Sequence, residues 1–296
     1  MTHYTPHPNP YTQLTMRTVT LFFAAMLPAT SVAAQHQVYI SADMEGVAGL
    51  SATNDPLARR LMTAEVNAAI AGAFDAGATR VVVNDAHGGH NNLLQDQLDP
   101  RVTLLRGDLK PYGMMQGLDA SFSAVVFIGY HAKAGQQGGF LAHTGSGRTA
   151  DLRVNGVSVG EGGMNALYAA WYGVPVVFLA GDSMAVEEMR EFVPGVGGAA
   201  VKAGIWNRAV RTLSPDSAQA AIRRGVAEAL RTSRGGRPTA TPPFRVELRY
   251  TNALYADIAE GILSVDRVDA TTVGFQVDEY PAAYRMIRVL YKHLSQ

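Results

Sequence analysis

An almost wholly apolar, β-rich run, Val38-Tyr39-Ile40-Ser41-Ala42, stops abruptly at Asp43-Met44-Glu45-Gly46, and much of the chain downstream repeats that punctuation. A near-continuous apolar run fits a strand covered on both faces, which belongs in a parallel sheet. Alternate side chains of an extended chain share a face, so Asp43 and Glu45 can project together from the carboxyl end of the strand. Open α/β sheets bind their ligands at that end. Two carboxylates held so close repel each other, and a shared proton or a cation must relieve them. An isolated D-x-E also occurs in ordinary solvated loops, so the pair carries weight only in company.

The company follows. Asp55-Pro56 opens a helical pattern through Leu57, Leu61, Met62, Val66, Ile70 and Phe74, with Gly77 as its stop. Arg80-Val81-Val82-Val83-Asn84-Asp85 is a second buried strand leading to His87. Strand, helix, strand in this order predicts a right-handed unit with neighbouring strand ends, which brings His87 towards Asp43 and Glu45. A short strand over residues 102–105 and a central one over 124–131, ending at His131, extend the pattern. Asn155-Gly156 marks a hairpin. Glu161 opens a glycine-flanked helix that runs to Trp171, and an apolar strand over 174–182 ends at Asp182. A further short strand is expected over 199–202.

Ser214-Pro215-Asp216 then caps a helix to Leu230, and Arg234-Gly235-Gly236-Arg237-Pro238 with Pro242-Pro243 reads as a linker. Strands over 244–250 and 271–277 and a helix over 279–293 close the chain. The predicted fold class is α/β, an open and mostly parallel sheet with helices on both faces, plus a smaller α+β C-terminal subdomain. The expected plan is a metal-binding catalytic domain over residues 35–205 and the C-terminal subdomain over 206–296.

Before both, Met16-Arg17, an apolar run over residues 19–27 and small residues up to Ala34 have the layout of a secretory signal peptide over residues 1–34, with Met16 as a possible true start. Its apolar part is too short to span a bilayer comfortably, so no lasting membrane anchor is expected after cleavage near Gln35. The expected location is exported, periplasmic or secreted. The chain has no cysteine, which excludes thiolate catalysis, disulfides and a lipid-bearing thiol. Its formal charge is zero with no long charged run, which leaves no electrostatic footprint for nucleic acid.

Of eight histidines, four fall in loops after candidate strands: His87, His90, His131 and His143. Asp43, Glu45, His87, His131 and Glu161 together supply imidazole and carboxylate ligands, enough for two closely spaced divalent ions if one carboxylate bridges. Mixed nitrogen and oxygen ligation without thiolate suits zinc, with manganese or cobalt as alternatives. Each residue alone has a plainer reading, such as a loop cap for His87, a core histidine for His131, or a first-turn carboxylate on the helix dipole for Glu161. Asn84 and Asp85 read as groups that orient a ligand, Asp182 as another or as a helix cap, and His90 as a polar bystander.

Ser41-Ala42-Asp43-Met44-Glu45-Gly46, Val83-Asn84-Asp85-Ala86-His87, Gly129-Tyr130-His131-Ala132, His143, Val159-Gly160-Glu161 and Ala180-Gly181-Asp182 resemble, in order and spacing, the motif series of the zinc D-aminopeptidases. The resemblance runs from Val38 to the C-terminus. It implies two zinc ions per subunit on Asp43, Glu45, His87, His131 and Glu161, with Asp43 bridging and His143 catalytic. It also implies removal of N-terminal D-residues such as D-alanine from short peptides or amides, and a homodecamer of two stacked pentameric rings. The leader is a departure, because the founding members resemble cytoplasmic proteins. The glycine- and glutamine-rich loop over residues 133–139 is another. Two rivals stay open: an exported binuclear amidase or esterase, and a metal- or peptide-binding protein without turnover.

Overall fold

The computed structural model describes residues 1–3, 36–232 and 235–294, without the His293 side chain. All but the first three residues of the leader expected over residues 1–34, its cleavage point near Gln35 and Arg234 of the expected linker lie outside the described residues. In chain order the elements are β1 (Gln37–Ala42), α1 (Ala58–Asp75), β2 (Arg80–Asp85), β3 (Thr103–Leu105), β4 (Ala124–Tyr130), β5 (Thr149–Val154), β6 (Val157–Ser158), α2 (Glu161–Trp171), β7 (Val176–Asp182), α3 (Ser183–Phe192), β8 (Gly197–Trp206), β9 (Ala209–Thr212), α4 (Pro215–Arg231), β10 (Phe244–Tyr250), α5 (Ala253–Glu260), β11 (Asp266–Arg267), β12 (Thr272–Val277) and α6 (Tyr280–Arg288).

Strands β3-β2-β1-β4-β7-β8 form a parallel sheet with β9 antiparallel at its edge. The apolar runs at its centre are buried on both faces, as their lack of alternation requires. Val38, Ile40 and Val126 join a core with residues of α1 and α4, whereas Tyr39, Val125 and Phe127 join one with residues of α2 and α6. Helices therefore cover both faces. Helix α4 lies tight against α1 because Gly72 leaves room for the Arg223 carbonyl, and Arg223 closes the contact on Asp75 at 2.7 Å.

The expected linker leads to β10, but the residues after 205 do not stand apart. Gln35–Gln296 is one compact unit, and the expected boundary falls inside β8. The second sheet, β11-β12-β10-β5-β6, is antiparallel and takes β5 and β6 from the first half of the chain. Leu152 and Val154 pair with Leu248 and Val246 and are buried with them. An alternating strand shows that one face is covered without naming the strand beside it, which is why the chain order misplaced the division.

A buried polar chain ties the late helix α6 to the end of β1. Tyr284 donates to Asn165 Oδ1 at 2.6 Å, Asn165 Nδ2 donates to the Tyr130 hydroxyl at 2.8 Å, and that hydroxyl lies 2.7 Å from Ser41 Oγ. Ser41 uses its own proton on the Met114 carbonyl at 2.8 Å, so Tyr130 donates to Ser41. The row reaches β1 at Ser41, two residues before Asp43.

Candidate metal centre

At the carboxyl ends of β1 and β4 the two backbones cross closely. Asp43 N–H donates to the Ile128 carbonyl and Gly46 N–H to the Gly129 carbonyl, both at 2.8 Å. A Cβ on Gly46 would overlap the Tyr130 carbonyl, and one on Gly129, whose φ is +76°, would overlap the Asp43 carbonyl. Glycine at both positions lets the D-x-E turn fold back onto β4 and aim its carboxylates across the sheet edge towards His131. Lys202, on β8, holds the turn from beneath by donating to the Glu45 and Leu50 carbonyls, each at 2.8 Å.

All five expected ligands and His143 meet there. His87 Nδ1 lies 3.2 Å from Asp43 Oδ1 and 3.0 Å from Glu45 Oε2. His131 Nε2 lies 3.4 Å from Asp43 Oδ2 and 3.5 Å from Glu161 Oε2. Asp43 thus presents one oxygen to each histidine. His143 Nε2 is 3.5 Å from Glu161 Oε1, and the His143 and His131 rings stack with centroids 4.1 Å apart. Glu161, in the first turn of α2, also accepts the Gly145 N–H at 2.6 Å.

The other expected residues serve the loops. Asp85 accepts the Asn92 and Leu93 N–H groups at 2.5 and 2.8 Å, bracing the loop that carries His87. Asn84 donates to the Gly113 carbonyl at 2.8 Å and accepts Lys110 Nζ at 2.5 Å. Asp182 accepts the Phe140 N–H at 3.1 Å and so anchors the segment before His143. His90 is not the exposed bystander its polar neighbours implied: it is buried, has φ +53°, and lines the same cavity as His87.

The electrostatics are those of a cation site. Burial and the neighbouring Glu45 carboxylate push Asp43 up to about 7. Burial would lower the His87 pKa, but the Glu45 and Asp43 carboxylates outweigh it and lift it to about 11. Burial likewise opposes the ionised form of Glu161, yet His131 beside it holds it down to about 2. Protons on imidazole here do the balancing that a metal ion would do.

The donor set fits such an ion. Among the described residues Asp43 Oδ2 and His131 Nε2 are buried without a hydrogen-bond partner, although they face each other. His131 Nδ1 lies 2.9 Å from the Ala132 carbonyl and His143 Nδ1 lies 2.8 Å from the Leu141 carbonyl. A carbonyl can only accept, so each Nδ1 carries a proton and each Nε2 is the atom turned to the cluster, where it would offer its lone pair to an ion once its own proton leaves. Asp43, Glu45 and His87 form one group of convergent ligand atoms, and Asp43, His131 and Glu161 a second. A third group, Glu45, His131 and His143, places His143 within ligand reach as well.

Sequence reasoning passed over Lys202 and the cavity's far wall, which includes Arg288, Tyr291 and Lys292. One signal was available: Arg288 follows Tyr284 by four residues and precedes Tyr291 by three, so it sits in the apolar stripe of a helix whose other stripe members are buried.

A parallel α/β sheet with an imidazole and carboxylate cluster on its carboxyl edge defines a class, the α/β proteins with a thiolate-free site suited to divalent metal. Within that class, residues 37–289 match the family model of the M55 peptidases, described as D-aminopeptidase, and the chain belongs to that family. It is 38% identical over 267 residues to a D-aminopeptidase of Bacillus subtilis (strain 168), covering 86% of this chain and 96% of that one. Among solved structures it is similar to the "Zn-dependent D-aminopeptidase DppA from Bacillus subtilis, a self-compartmentalizing protease", with a TM-score of 0.84 and 34% identity over 88% of this chain and 98% of the other.

Proposed function

We propose that the protein is a zinc-dependent D-aminopeptidase that removes N-terminal D-residues, such as D-alanine, from short peptides. The observation that carries the reading is the position of Asp43, whose two oxygens face His87 and His131 separately and whose Oδ2 has no hydrogen-bond partner among the described residues. In this reading Asp43 with Glu45 and His87, and Asp43 with His131 and Glu161, are the residues that would hold zinc. Zinc held there supplies a Lewis acid for the scissile carbonyl and lowers the pKa of water towards neutrality.

The chain's own residues supply the rest. His143 has a free Nε2 at the cavity and a ring held by the Leu141 carbonyl and by stacking on His131. It is placed to take a proton at Nε2, or to donate one to a developing oxyanion once protonated. Lys202 keeps Glu45 in position through the Glu45 backbone carbonyl, without touching the reacting atoms. The cavity beside the cluster, about 200 Å³, is small against the roughly 300–1,000 Å³ of a typical ligand site, which favours short substrates.

Assembly and location complete the proposal. The similar structure is described as self-compartmentalizing, which supports an oligomer here, with the homodecamer as the specific expectation. The leader-like residues 16–34 support export. The decisive experiment measures bound metal in purified protein and compares hydrolysis of D-alanyl-D-alanine with L-alanyl-L-alanine. Zinc at about two equivalents with turnover of the D-form alone supports the reading. Equal rates on both, or turnover unaffected by metal removal, overturn it.

A further inference from the structure

The cavity lined by Asp43, His87 and Glu161 is also lined by the basic side chains of Arg288 and Lys292. Arg288, the last residue of α6, lines it while being only 3% exposed. Its guanidinium lies over Gly113, where any Cβ would overlap it, and shares a hydrogen bond with the Tyr291 hydroxyl. Guanidinium nitrogen Nη2 is buried and has no hydrogen-bond partner among the described residues. The neighbouring cations are engaged. Lys292 Nζ donates to the Gly88 carbonyl at 2.6 Å and lies 3.3 Å from Asp108, and Lys110 Nζ donates to the Asp85 carbonyl at 2.7 Å.

A buried charge with a spare donor is costly, and removing its acceptor is penalised more than any one bond gains. The guanidinium fork matches a planar carboxylate in two parallel hydrogen bonds, a fit that the point charge of a lysine does not reproduce. The same cavity is lined by the carboxylate cluster, with metal or without it suited to an amino group. A short zwitterionic peptide has one charge for each of these groups, and its two ends fix its direction in the site.

We propose that Arg288 recognises the free α-carboxylate of the substrate, so that the protein selects short peptides with an unblocked C-terminus and discriminates against the same peptides ending in an amide. The inference rests on the peptidase reading above and narrows its substrate class. A long chain would carry its carboxylate out of so small a cavity, so the contact also limits substrate length.

The test measures, by calorimetry on the zinc-loaded full chain, binding of a D-alanyl-D-alanine analogue with a reduced, uncleavable bond, as free acid and as amide. Hydrolysis of D-alanyl-D-alanine and its amide is followed in parallel. The acid should bind about 10- to 100-fold more tightly than the amide, as expected when a charged hydrogen-bond pair is lost. Arg288→Met should bring that ratio to about one, and Arg288→Lys should restore only part of it. Equal binding of acid and amide by the unsubstituted protein overturns the subsite and leaves Arg288 as a counter-charge to the cluster, whether or not either variant folds. Preference for the acid analogue without hydrolysis of either peptide sinks the peptidase reading and leaves the carboxylate subsite standing. Hydrolysis of both peptides at equal efficiency with no binding preference does the reverse.

Discussion

Asp43 Oδ2 and His131 Nε2 lie 3.4 Å apart, both buried, and neither has a hydrogen-bond partner among the described residues. Two unsatisfied buried polar atoms this close are uncommon, because each costs about 1–3 kcal/mol when left alone. An ion held by both groups would satisfy both. Asp43→Ala should therefore empty both metal positions, whereas His87→Ala should empty mainly one. Elemental analysis of the purified variants decides, and full metal content in Asp43→Ala would falsify the shared-ligand arrangement.

His143 stands apart from the two ligand groups that share Asp43, yet it stacks on His131 and faces Glu161. His143→Ala should keep normal zinc and lose about 10²–10⁴-fold in rate, chiefly in kcat, since a proton-transfer contact matters most in the transition state. Loss of zinc in that variant instead would make His143 a ligand.

The close crossing of β1 and β4 depends on Gly129, whose left-handed φ of +76° and contact with the Asp43 carbonyl exclude a side chain. Gly129→Ala must strain the backbone or push the Asp43 turn away. We expect a stability loss on the order of 1–3 kcal/mol, seen as a lower Tm, together with weaker metal retention. An unchanged Tm and metal content would show that the turn does not rely on this approach.

Glu65, on α1 beneath the D-x-E turn, is pushed from 4.5 up to about 7 by burial, despite the Ala48 N–H that bonds it and the charge of Lys202. A carboxyl raised in the folded state favours folding in its protonated form. That contribution is complete below about pH 4.5, declines as the pH climbs, and is gone above about pH 7. A shift of this size corresponds to about 3 kcal/mol. Glu65→Gln should therefore show a shallower fall in stability than the unsubstituted protein between those limits, measured by denaturant unfolding across pH. Parallel pH profiles for the two proteins would mean that Glu65 does not titrate there.

Much of this molecule is written locally. The apolar runs that became β1, β2, β4 and β7 declare strands buried on both faces, because only a sheet covered by helices hides such runs from water. The chemistry at their ends was equally legible: Asp43, Glu45, His87 and His131 each follow a strand, and parallel strands bring their carboxyl ends together whatever the details of packing. What tertiary structure alone decided involves partners distant in sequence. The pairing of β5 with β10, the crossing permitted by Gly46 and Gly129, the hold of Lys202 on Glu45 and the reach of Arg288 into the cavity join residues from about 80 to more than 150 positions apart in the chain. No periodicity records such contacts. Side-chain pattern states that a face is covered or a charge hidden, and the covering surface or the charge's partner is chosen only when the whole chain closes its core.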